Sequence, residues 1–399
     1  MDSSLAVFGI GADGWAGLGS RAQGEILAAE VVLGGTRHLD LLPDVPGQRR
    51  VAWPTPLREQ LPAVLAEHAD RQVVVLASGD PLVSGIGSTL IDLLGSDRVR
   101  IEPATSSVAL ARARMGWAAE TVEVVTLVGR DPDALRRSLA DGHRLLVLSS
   151  DASTPAQVAE LLSAAGFGTS RLTVLGDLGA LGESRREGLA ADWSGTSPAL
   201  NVIAIACVGD GHGWTTGLPD DAFEHDGQLT RRDARASALA RLAPIPGDLL
   251  WDVGAGAGSV GIEWLRVHPS LRAVAVESNP ERARRIAVNA RALGVPRLEV
   301  VAGSAPEALA GLPTPDAVFV GGGATRAGVL DAVTAALRPG GRLVVHGVTH
   351  QTEALLIGRY GDLGGDLTRL HVETAGPIGT FTGWTPSRAI TQWSWRAPA

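Results

Sequence analysis

The sequence predicts an α/β fold with two domains joined by a short connector. The chain has 399 residues, of which 45% are hydrophobic, and this length and composition suit two cores better than one. Short apolar runs alternate with helical patterns along the chain, which is typical of parallel sheets covered by helices. A polar segment between Val208 and Arg231, which contains several glycines and a proline, separates the two halves. We therefore predict domains at 1–210 and 211–399.

The first half contains six apolar runs of strand length, with helical patterns between several of them. The predicted strands are Leu5–Ile10, Val73–Ala77, Val122–Thr126, Leu145–Leu148, Leu172–Leu175 and Leu200–Ala206. The predicted helices are Arg21–Glu30, Leu57–His68 and Pro155–Ala165. Because helical patterns alternate with the apolar runs, we expect these strands to be parallel.

The second half repeats this alternation and then changes near its end. The predicted strands are Leu249–Val253, Ala273–Glu277, Leu298–Ala302, Ala317–Val320 and Leu343–His346, and the predicted helices are Glu281–Ala292 and Ala327–Ala336. Two further runs, Leu367–Thr374 and Ala389–Trp395, have no helical pattern between them. We therefore expect them to form a closing antiparallel pair.

Composition argues against several classes of function. No run of about 18 apolar residues occurs, and Met1–Ser4 lacks the basic and apolar segments of a secretion signal. The single cysteine, Cys207, excludes an internal disulfide and a cysteine-rich metal site. All 35 basic residues are arginine, so no lysine is present to form a Schiff base. With a net charge of −8, we expect a cytoplasmic protein that binds neither membrane nor nucleic acid and holds no metal.

The most informative motif is a glycine-rich turn in the second half. Gly254, Gly256 and Gly258 follow a predicted strand, and Glu277 ends the next one. Such a turn lets a nucleoside approach the backbone, the exposed amides at the N-terminus of the following helix favour polar or anionic groups, and the carboxylate can accept from both ribose hydroxyls. A dinucleotide turn carries its third glycine one position later, where this chain has Ser259. The spacing favours S-adenosylmethionine (SAM) as the cofactor and leaves a nicotinamide dinucleotide as the alternative.

The second half resembles a known family along most of its length. The motifs that carry the resemblance are Gly217–Phe223, Gln228–Arg235, Asp252–Glu263, Gly303–Pro306, Pro315–Gly323 and Leu337–Val344. They resemble the decarboxylating C15-methyltransferases of cobalamin biosynthesis, which implies a Rossmann-like class I SAM-dependent methyltransferase domain. The resemblance implies that the cofactor is bound by Thr230, Gly254, Ala255, Gly256, Ala257, Gly258, Glu277, Ser304 and Ala305.

The first half resembles a different family, the tetrapyrrole (corrin/porphyrin) methylases, and in particular their C5-methylating members. The motifs are Gly9–Gly11, Ser78–Leu82 with Gly85–Gly87, Pro103–Ser107 and Leu127–Asp131. This resemblance implies a domain of two α/β lobes with its own SAM site. The residues that it places at the cofactor are Gly9, Gly11, Gly79, Asp80, Thr105 and Ser106.

Taken together, the halves resemble the fused precorrin C5,15-methyltransferases that also decarboxylate the C12 acetate. The resemblance implies a tetrapyrrole substrate with many carboxylates, for which arginine is the matching residue type. We predict that Arg232, Arg235 and Arg326 bind these carboxylates, and that Arg231 and His346 are catalytic. Arg231 stands where the family usually has lysine.

Besides the nicotinamide dinucleotide, three further alternatives remain at the level of the sequence. The substrate could carry cobalt, as in the anaerobic route. The second half could instead methylate a nucleic acid or another small molecule. A protein that holds the corrinoid and SAM without turnover is the third. By resemblance, we also expect a homo-oligomer.

Overall fold

The computed structural model describes residues 4–399, so Met1–Ser3 of the N-terminus considered above lie outside the described residues. The chain forms two compact units. The first unit holds the described residues up to Pro132 together with Ala140–Asp210, and the second holds Asp133–Leu139 and Gly211–Ala399. None of the helices in the described part of the chain is long and apolar enough to cross a membrane.

The first unit alternates strands and helices along most of its length. Its strands are β1 (Leu5–Ile10), β2 (Val31–Gly34), β3 (Arg49–Ala52), β4 (Val73–Ser78), β5 (Val99–Glu102), β6 (Glu123–Thr126), β7 (Arg144–Leu148), β8 (Arg171–Gly176), β9 (Ser184–Leu189) and β10 (Asn201–Ala206). Its helices are α1 (Ser20–Ala28), α2 (Thr36–Leu39), α3 (Leu57–Glu67), α4 (Ile86–Leu94), α5 (Ser107–Met115) and α6 (Thr154–Ala164).

These strands form two sheets, which confirms the two predicted lobes. The first sheet has the order β3-β2-β4-β1-β5 and is parallel throughout. The second has the order β6-β7-β10-β8-β9, in which β10 is antiparallel to β7 and β8. The prediction of parallel strands therefore holds for β6 and β7 but is wrong for β10. No α-helix lies between β8, β9 and β10, and strands joined without a crossover helix pair in an antiparallel manner.

The second unit follows the same alternation and ends in strands. Its strands are β11 (Leu249–Val253), β12 (Arg272–Glu277), β13 (Glu299–Ala302), β14 (Ala317–Val320), β15 (Arg342–Gly347), β16 (Asp366–Leu370), β17 (Glu373–Ile378), β18 (Phe381–Pro386) and β19 (Ile390–Arg396). Its helices are α7 (Arg232–Leu242), α8 (Ser259–Val267), α9 (Pro280–Ala292), α10 (Val329–Ala336) and α11 (His350–Leu363).

The main sheet of the second unit has the order β13-β12-β11-β14-β15-β19-β16. Its first five strands are parallel, and β19 is antiparallel to both of its neighbours. Consecutive residues of β11 point to opposite faces of the sheet and belong to different cores, Leu250 to one and Trp251 to the other. A strand with apolar residues on both faces lies in the middle of a sheet that helices cover on both sides. The Rossmann-like prediction is confirmed, and so is the closing antiparallel pair.

The sequence prediction lacks six strands, namely β2, β3, β5, β9, β17 and β18. Three of them have only four residues, which is too short for a clear pattern. The polar strand β9 is an exposed edge strand. The last two form a separate, largely exposed hairpin that divides the predicted Leu367–Thr374 run and lies between β16 and β19 in the chain. Such strands carry few buried apolar residues that a sequence pattern could reveal.

The connector is shorter than predicted, because its second part belongs to the core of the second unit. Leu218 and Phe223 are buried in that core. Both carboxylate oxygens of Glu263 in α8 accept from the backbone there, one from Gly217 N at 2.6 Å and the other from Leu218 N at 2.8 Å. The segment from Gly217 to Arg231 is therefore held against α7 and α8 as part of the domain.

Candidate active sites

A cavity of about 1040 Å³, here called the second cavity, opens in the second unit. Its floor is formed where β11, β12, β13, β14 and β15 end, and its other walls come from 228–234 and from residues around the β17–β18 hairpin. Ligands of open α/β sheets bind at the carboxyl ends of the parallel strands. The volume lies at the upper end of the range for small-molecule sites, which suits a cofactor together with a second ligand.

The glycine-rich turn lies on this floor, and its shape depends on Gly256. The residue has φ of +60°, and a Cβ atom placed on it would lie 2.7 Å from the carbonyl oxygen of Gln228. A side chain would therefore strain the turn and push against the opposite wall. Gly254 and Ala255 also line the cavity.

The amides of the turn are already hydrogen-bonded within the protein. Gly254 N and Ala255 N donate to the carbonyl of Val276 at 2.9 and 3.2 Å, and Gly258 N donates to Ala255 O at 2.8 Å. Gly256 N donates to Glu277 Oε2 at 2.8 Å. These four turn amides are therefore not free for a ligand. A pyrophosphate needs free amides at the turn, so the geometry disfavours the dinucleotide alternative.

Glu277 lies at the end of β12, where its buried carboxylate faces the second cavity. Oε2 accepts from Gly256 N at 2.8 Å, and Oε1 accepts from Asn279 N at 2.9 Å. A carboxylate has about four lone-pair positions, so each oxygen retains capacity for one more donor. Two hydroxyls of a ribose match that remaining capacity.

Asp252 stands beneath the turn rather than in the cavity. Its Oδ2 accepts from Gly261 N at 2.9 Å and so ties the end of β11 to α8, while Oδ1 has no partner. Burial, together with the charge of Glu277, raises the pKa of Asp252 to about 7. The carboxyl group is therefore partly protonated at neutral pH and supports the turn from below.

Two of the predicted contacts lie behind the cavity wall. Ala257 is buried, and its carbonyl accepts from Asn289 Nδ2 at 2.9 Å. The Cα of Gly258 faces the side chain of Ile286, to which a Cβ would come within 2.7 Å. Neither residue lines the second cavity, so both shape the turn from behind. The other predicted residues Thr230, Ser304 and Ala305 do line it.

The predicted substrate arginines divide into two groups. Arg232 and Arg326 line the second cavity, as does Arg231, which is 3.3 Å from Asp220. Arg326 pairs with Glu307 at 3.0 Å, whereas no acidic partner lies within 4 Å of the Arg232 side chain among residues 4–399. Arg388, after β18, also lines the cavity without such a partner in the described chain and was missed by the sequence analysis.

The prediction for Arg235 is wrong. Its side chain is fully buried, donates to Glu263 Oε1 at 2.6 Å and to Asp220 Oδ1 at 3.3 Å, and also donates to two carbonyl groups. Its guanidinium stacks on Phe223 at 4.7 Å from the ring centroid. A substrate carboxylate cannot reach a cation that is enclosed by these partners.

His346 lines the second cavity at the end of β15, but not as a charged acid. Burial lowers the pKa of His346 to about 4, and the nearby Arg241 acts in the same direction. Gln392 satisfies both neighbours when its amide nitrogen donates to His346 Nε2 at 2.8 Å and its oxygen accepts from Arg241 Nε at 2.9 Å. The ring is therefore neutral and carries its proton on Nδ1. The role of an imidazolium proton donor does not fit.

A cavity of about 390 Å³, here called the first cavity, lies between the two sheets of the first unit. One wall is formed by the ends of β1, β4 and β5, and includes five of the residues that the sequence analysis places at the cofactor, namely Gly11, Gly79, Asp80, Thr105 and Ser106. The opposite wall comes from β8, β10 and the residues next to them. The location at strand ends again fits a ligand site.

Backbone segments meet tightly below the first cavity at Gly9. A Cβ atom on Gly9 would lie 1.8 Å from Gly79 O and 2.5 Å from Ala104 N, so only glycine allows these segments to pack. Gly9 therefore acts through packing and does not line the cavity. Ser106 Oγ caps α5 by accepting from Ala109 N at 3.1 Å, and Asp80 Oδ1 accepts from Leu82 N at 2.9 Å.

Arg37, Ser78 and Asp13 also line the first cavity, although the sequence analysis did not place them among the cofactor residues. Arg37 lies in the short helix α2, directly after β2. Since neither element was predicted, no strand end pointed to this arginine. A Gly-Gly pair followed by a basic residue is the signal that was available, and it is weak.

Two family profiles match the chain on separate segments. Residues 4–193 match the tetrapyrrole (corrin/porphyrin) methylases, and residues 221–397 match the precorrin methyltransferase domain. A precorrin-6Y C(5,15)-methyltransferase [decarboxylating] of Sinorhizobium sp. is 47% identical over 396 residues, which are 98% of this chain and 96% of that protein.

Two proteins of Salmonella typhimurium match part of the chain. A cobalt-precorrin-6B C(15)-methyltransferase (decarboxylating) is 31% identical over 166 residues, which are 41% of this chain and 85% of that protein. A cobalt-precorrin-7 C(5)-methyltransferase is 31% identical over 205 residues, which are 50% of this chain and 98% of that protein.

Proposed function

The chain belongs to the precorrin-6Y C5,15-methyltransferase (decarboxylating) family, and we propose that it performs this reaction in cobalamin biosynthesis. In this proposal, SAM methylates C5 and C15 of precorrin-6Y (precorrin-6B), and the C12 acetate side chain loses its carboxyl group to give precorrin-8X. The observation that carries the proposal is the pair of separate cavities, each lined by the strand-end motifs of its own methyltransferase family.

We assign C5 methylation to the first unit and C15 methylation with decarboxylation to the second. The two Salmonella relatives bear names for these separate activities, so each reaction exists on a shorter protein. The full-length relative is named for precorrin without cobalt, which favours the metal-free substrate for this chain. We also retain the sequence-based expectation of a cytoplasmic enzyme.

The second cavity fits SAM in two respects. Gly254 and Gly256 line the cavity with backbone against which a nucleoside can lie, and the two oxygens of Glu277 can each accept from one ribose hydroxyl. When bound, SAM supplies an electrophilic methyl group on a sulfonium. We propose one such site in each unit. In the first cavity, Thr105 and Asp80 are among the residues that hold SAM.

The main task of the protein in both methyl transfers is to position the substrate. A meso carbon of a reduced tetrapyrrole is conjugated to pyrrole nitrogens and is nucleophilic without a strong base. Orientation of two reactants can lower a barrier by roughly 7–11 kcal/mol. Arg232 and Arg388 lack acidic partners among the described residues, so we assign them to the carboxylates of the substrate in the second cavity. To bind a substrate carboxylate, Arg326 would have to break its ion pair with Glu307.

Loss of the acetate carboxyl group requires a positive centre that accepts the electron pair. A protonated ring nitrogen of the substrate is a suitable acceptor. Arg231 contributes a cation at the cavity, although Asp220 partly balances it at 3.3 Å. His346 contributes a neutral ring that can donate a hydrogen bond from Nδ1, and Gln392 fixes its orientation.

The test is a single-enzyme conversion with SAM labelled in its methyl group. Precorrin-6Y, with and without cobalt, is incubated with the full chain, and the product is analysed by NMR and mass spectrometry. We expect label at C5 and C15 of the metal-free ring and release of carbon dioxide. Label at any other atom, an unchanged acetate, or turnover of the cobalt form alone would contradict the proposal.

A further inference from the structure

We propose that Arg37 binds a ligand carboxylate in the first cavity, and that Ser78 and His38 hold its guanidinium in place for this contact. Arg37 and His38 lie outside the family motifs, and Ser78, which begins one of them, is not among the predicted cofactor residues. The inference rests on the proposed function, because the ligands considered are those of C5 methylation.

The first observation is the geometry of the guanidinium. Arg37 Nη2 donates to Ser78 Oγ at 2.9 Å and to His38 Nε2 at 2.8 Å, and these two acceptors are themselves 2.9 Å apart. Both contacts use the same nitrogen. The N–H groups on Nε and Nη1 therefore have no acceptor among residues 4–399. Two neutral acceptors thus orient the planar group and leave much of its hydrogen-bonding capacity for a ligand.

The second observation is the charge. Arg37 is the one basic residue among the described residues that line the first cavity, where Asp13 and Asp80 are acidic. No described carboxylate lies within ion-pair distance of Arg37, and burial lowers its pKa, an effect that the field of Asp177 opposes. A guanidinium that lines a cavity without an ion pair matches an anionic ligand group.

The neighbouring histidine supports this arrangement. Burial, together with the charge of Arg37, lowers the pKa of His38 to about 4, so its ring is neutral at pH 7 and accepts on Nε2. Its Nδ1 is buried without a partner. A buried polar atom without a partner is unfavourable. The ring of His38 nevertheless adopts the orientation that leaves Nδ1 unpaired and places Nε2 on the guanidinium.

A carboxylate is the anion that both proposed ligands offer. SAM carries the carboxylate of its methionine part, and the tetrapyrrole carries acetate and propionate side chains. The planar fork of arginine matches either group. The chemistry of the contact is therefore the same for both sources, and experiment must distinguish them.

The test uses the full chain with Arg37→Gln, Arg37→Lys and the control Arg58→Gln, which changes an exposed arginine of α3 outside the first cavity. Initial rates of label transfer to C5 are measured while SAM or the tetrapyrrole is varied. Decarboxylated SAM, which lacks the carboxylate, replaces SAM in a parallel series. Thermal unfolding of each variant monitors folding.

If the cofactor is the source, Arg37→Gln raises the KM for SAM on the order of tenfold to a hundredfold and leaves the KM for decarboxylated SAM unchanged. If the substrate is the source, the KM for the tetrapyrrole rises instead. In both cases Arg37→Lys has a smaller effect, because it keeps the charge and loses the fork. Unchanged KM values for both reactants in a folded Arg37→Gln variant would overturn the inference. Absence of C5 label from the unmodified chain would instead overturn the proposed function.

Discussion

Single residues in and next to the glycine-rich turn show that positions of one motif have different roles. Gly256 lines the second cavity and faces Gln228 O, whereas Gly258 packs against Ile286 behind the turn. Glu277 joins the end of β12 to the turn through Gly256 N and keeps lone pairs for a ligand. The function of each position therefore depends on which side of the turn it faces.

Gly256→Val tests the role of this position. The added side chain meets Gln228 O, so the turn or the opposite wall of the cavity must shift, and we expect C15 methylation and carbon dioxide release to be lost while C5 methylation remains. Gly311→Val is the matched control, because Gly311 has a similarly positive φ of +80° but nothing within 4 Å of its added Cβ. Equal loss in both variants, measured by labelled product, would attribute the effect to backbone strain and not to the cavity.

His346 predicts a pH dependence of stability. Its folded pKa of about 4 lies below the ordinary value of 6.5, so the unfolded chain takes up the proton first as the pH falls. Wild type should lose about 2–3 kcal/mol of unfolding free energy between pH 7 and 4.5 that His346→Gln does not lose. Urea unfolding at both pH values measures this difference. The exposed His371→Gln variant should follow wild type, and parallel curves for all three proteins would refute the prediction.

At the scale of elements, a buried ion pair joins the connector to two helices. Arg235 in α7 and Glu263 in α8 are 2.6 Å apart, and Glu263 also accepts from the backbone at Gly217 and Leu218. This cluster holds the segment that brings Gln228 and Thr230 to the second cavity. A residue expected to bind substrate thus positions the residues that do line the site.

Arg235→Met should destabilise the second unit by about 3–5 kcal/mol, because Glu263 is left as a buried charge without its cation. We expect faster amide exchange in α7 and α8 and weaker SAM binding at the second site. Arg231→Gln removes an exposed ion pair and should cost at most about 1 kcal/mol. Hydrogen exchange and calorimetry on both variants provide the comparison, and similar losses in the two would contradict this role.

At the scale of the whole molecule, two different α/β architectures are combined in one chain. The first unit uses a parallel and a mixed sheet, and the second uses one seven-stranded sheet with an antiparallel end. Each unit has its own cores and its own cavity. Because the lining residues of each cavity all come from its own unit, we expect each unit to bind its ligand by itself.

Fragments divided between Gly209 and Gly217 should therefore each fold and bind SAM. The segment Asp133–Leu139 lies in the first fragment by sequence but clusters with the second unit. Division of the chain therefore affects this segment most. We expect calorimetry to give two SAM equivalents for the full chain and one for each fragment. One equivalent for the full chain, or a folded fragment that binds none, would contradict the division of labour.

The sequence by itself determined the two-domain α/β organisation, the long buried strands and the glycine-rich turns, because periodic burial and local backbone geometry leave a signal in neighbouring residues. Only the tertiary structure decided the antiparallel pairing of β10, the β17–β18 hairpin and the course of the connector, since those depend on contacts between distant segments. The same holds for the sites. Arg235 and Arg388 are both arginines near motifs, and only packing separates one enclosed by Glu263 from one that lines a cavity. Arg37 became visible when β2 and β4 brought it beside Ser78, 41 positions further along the chain.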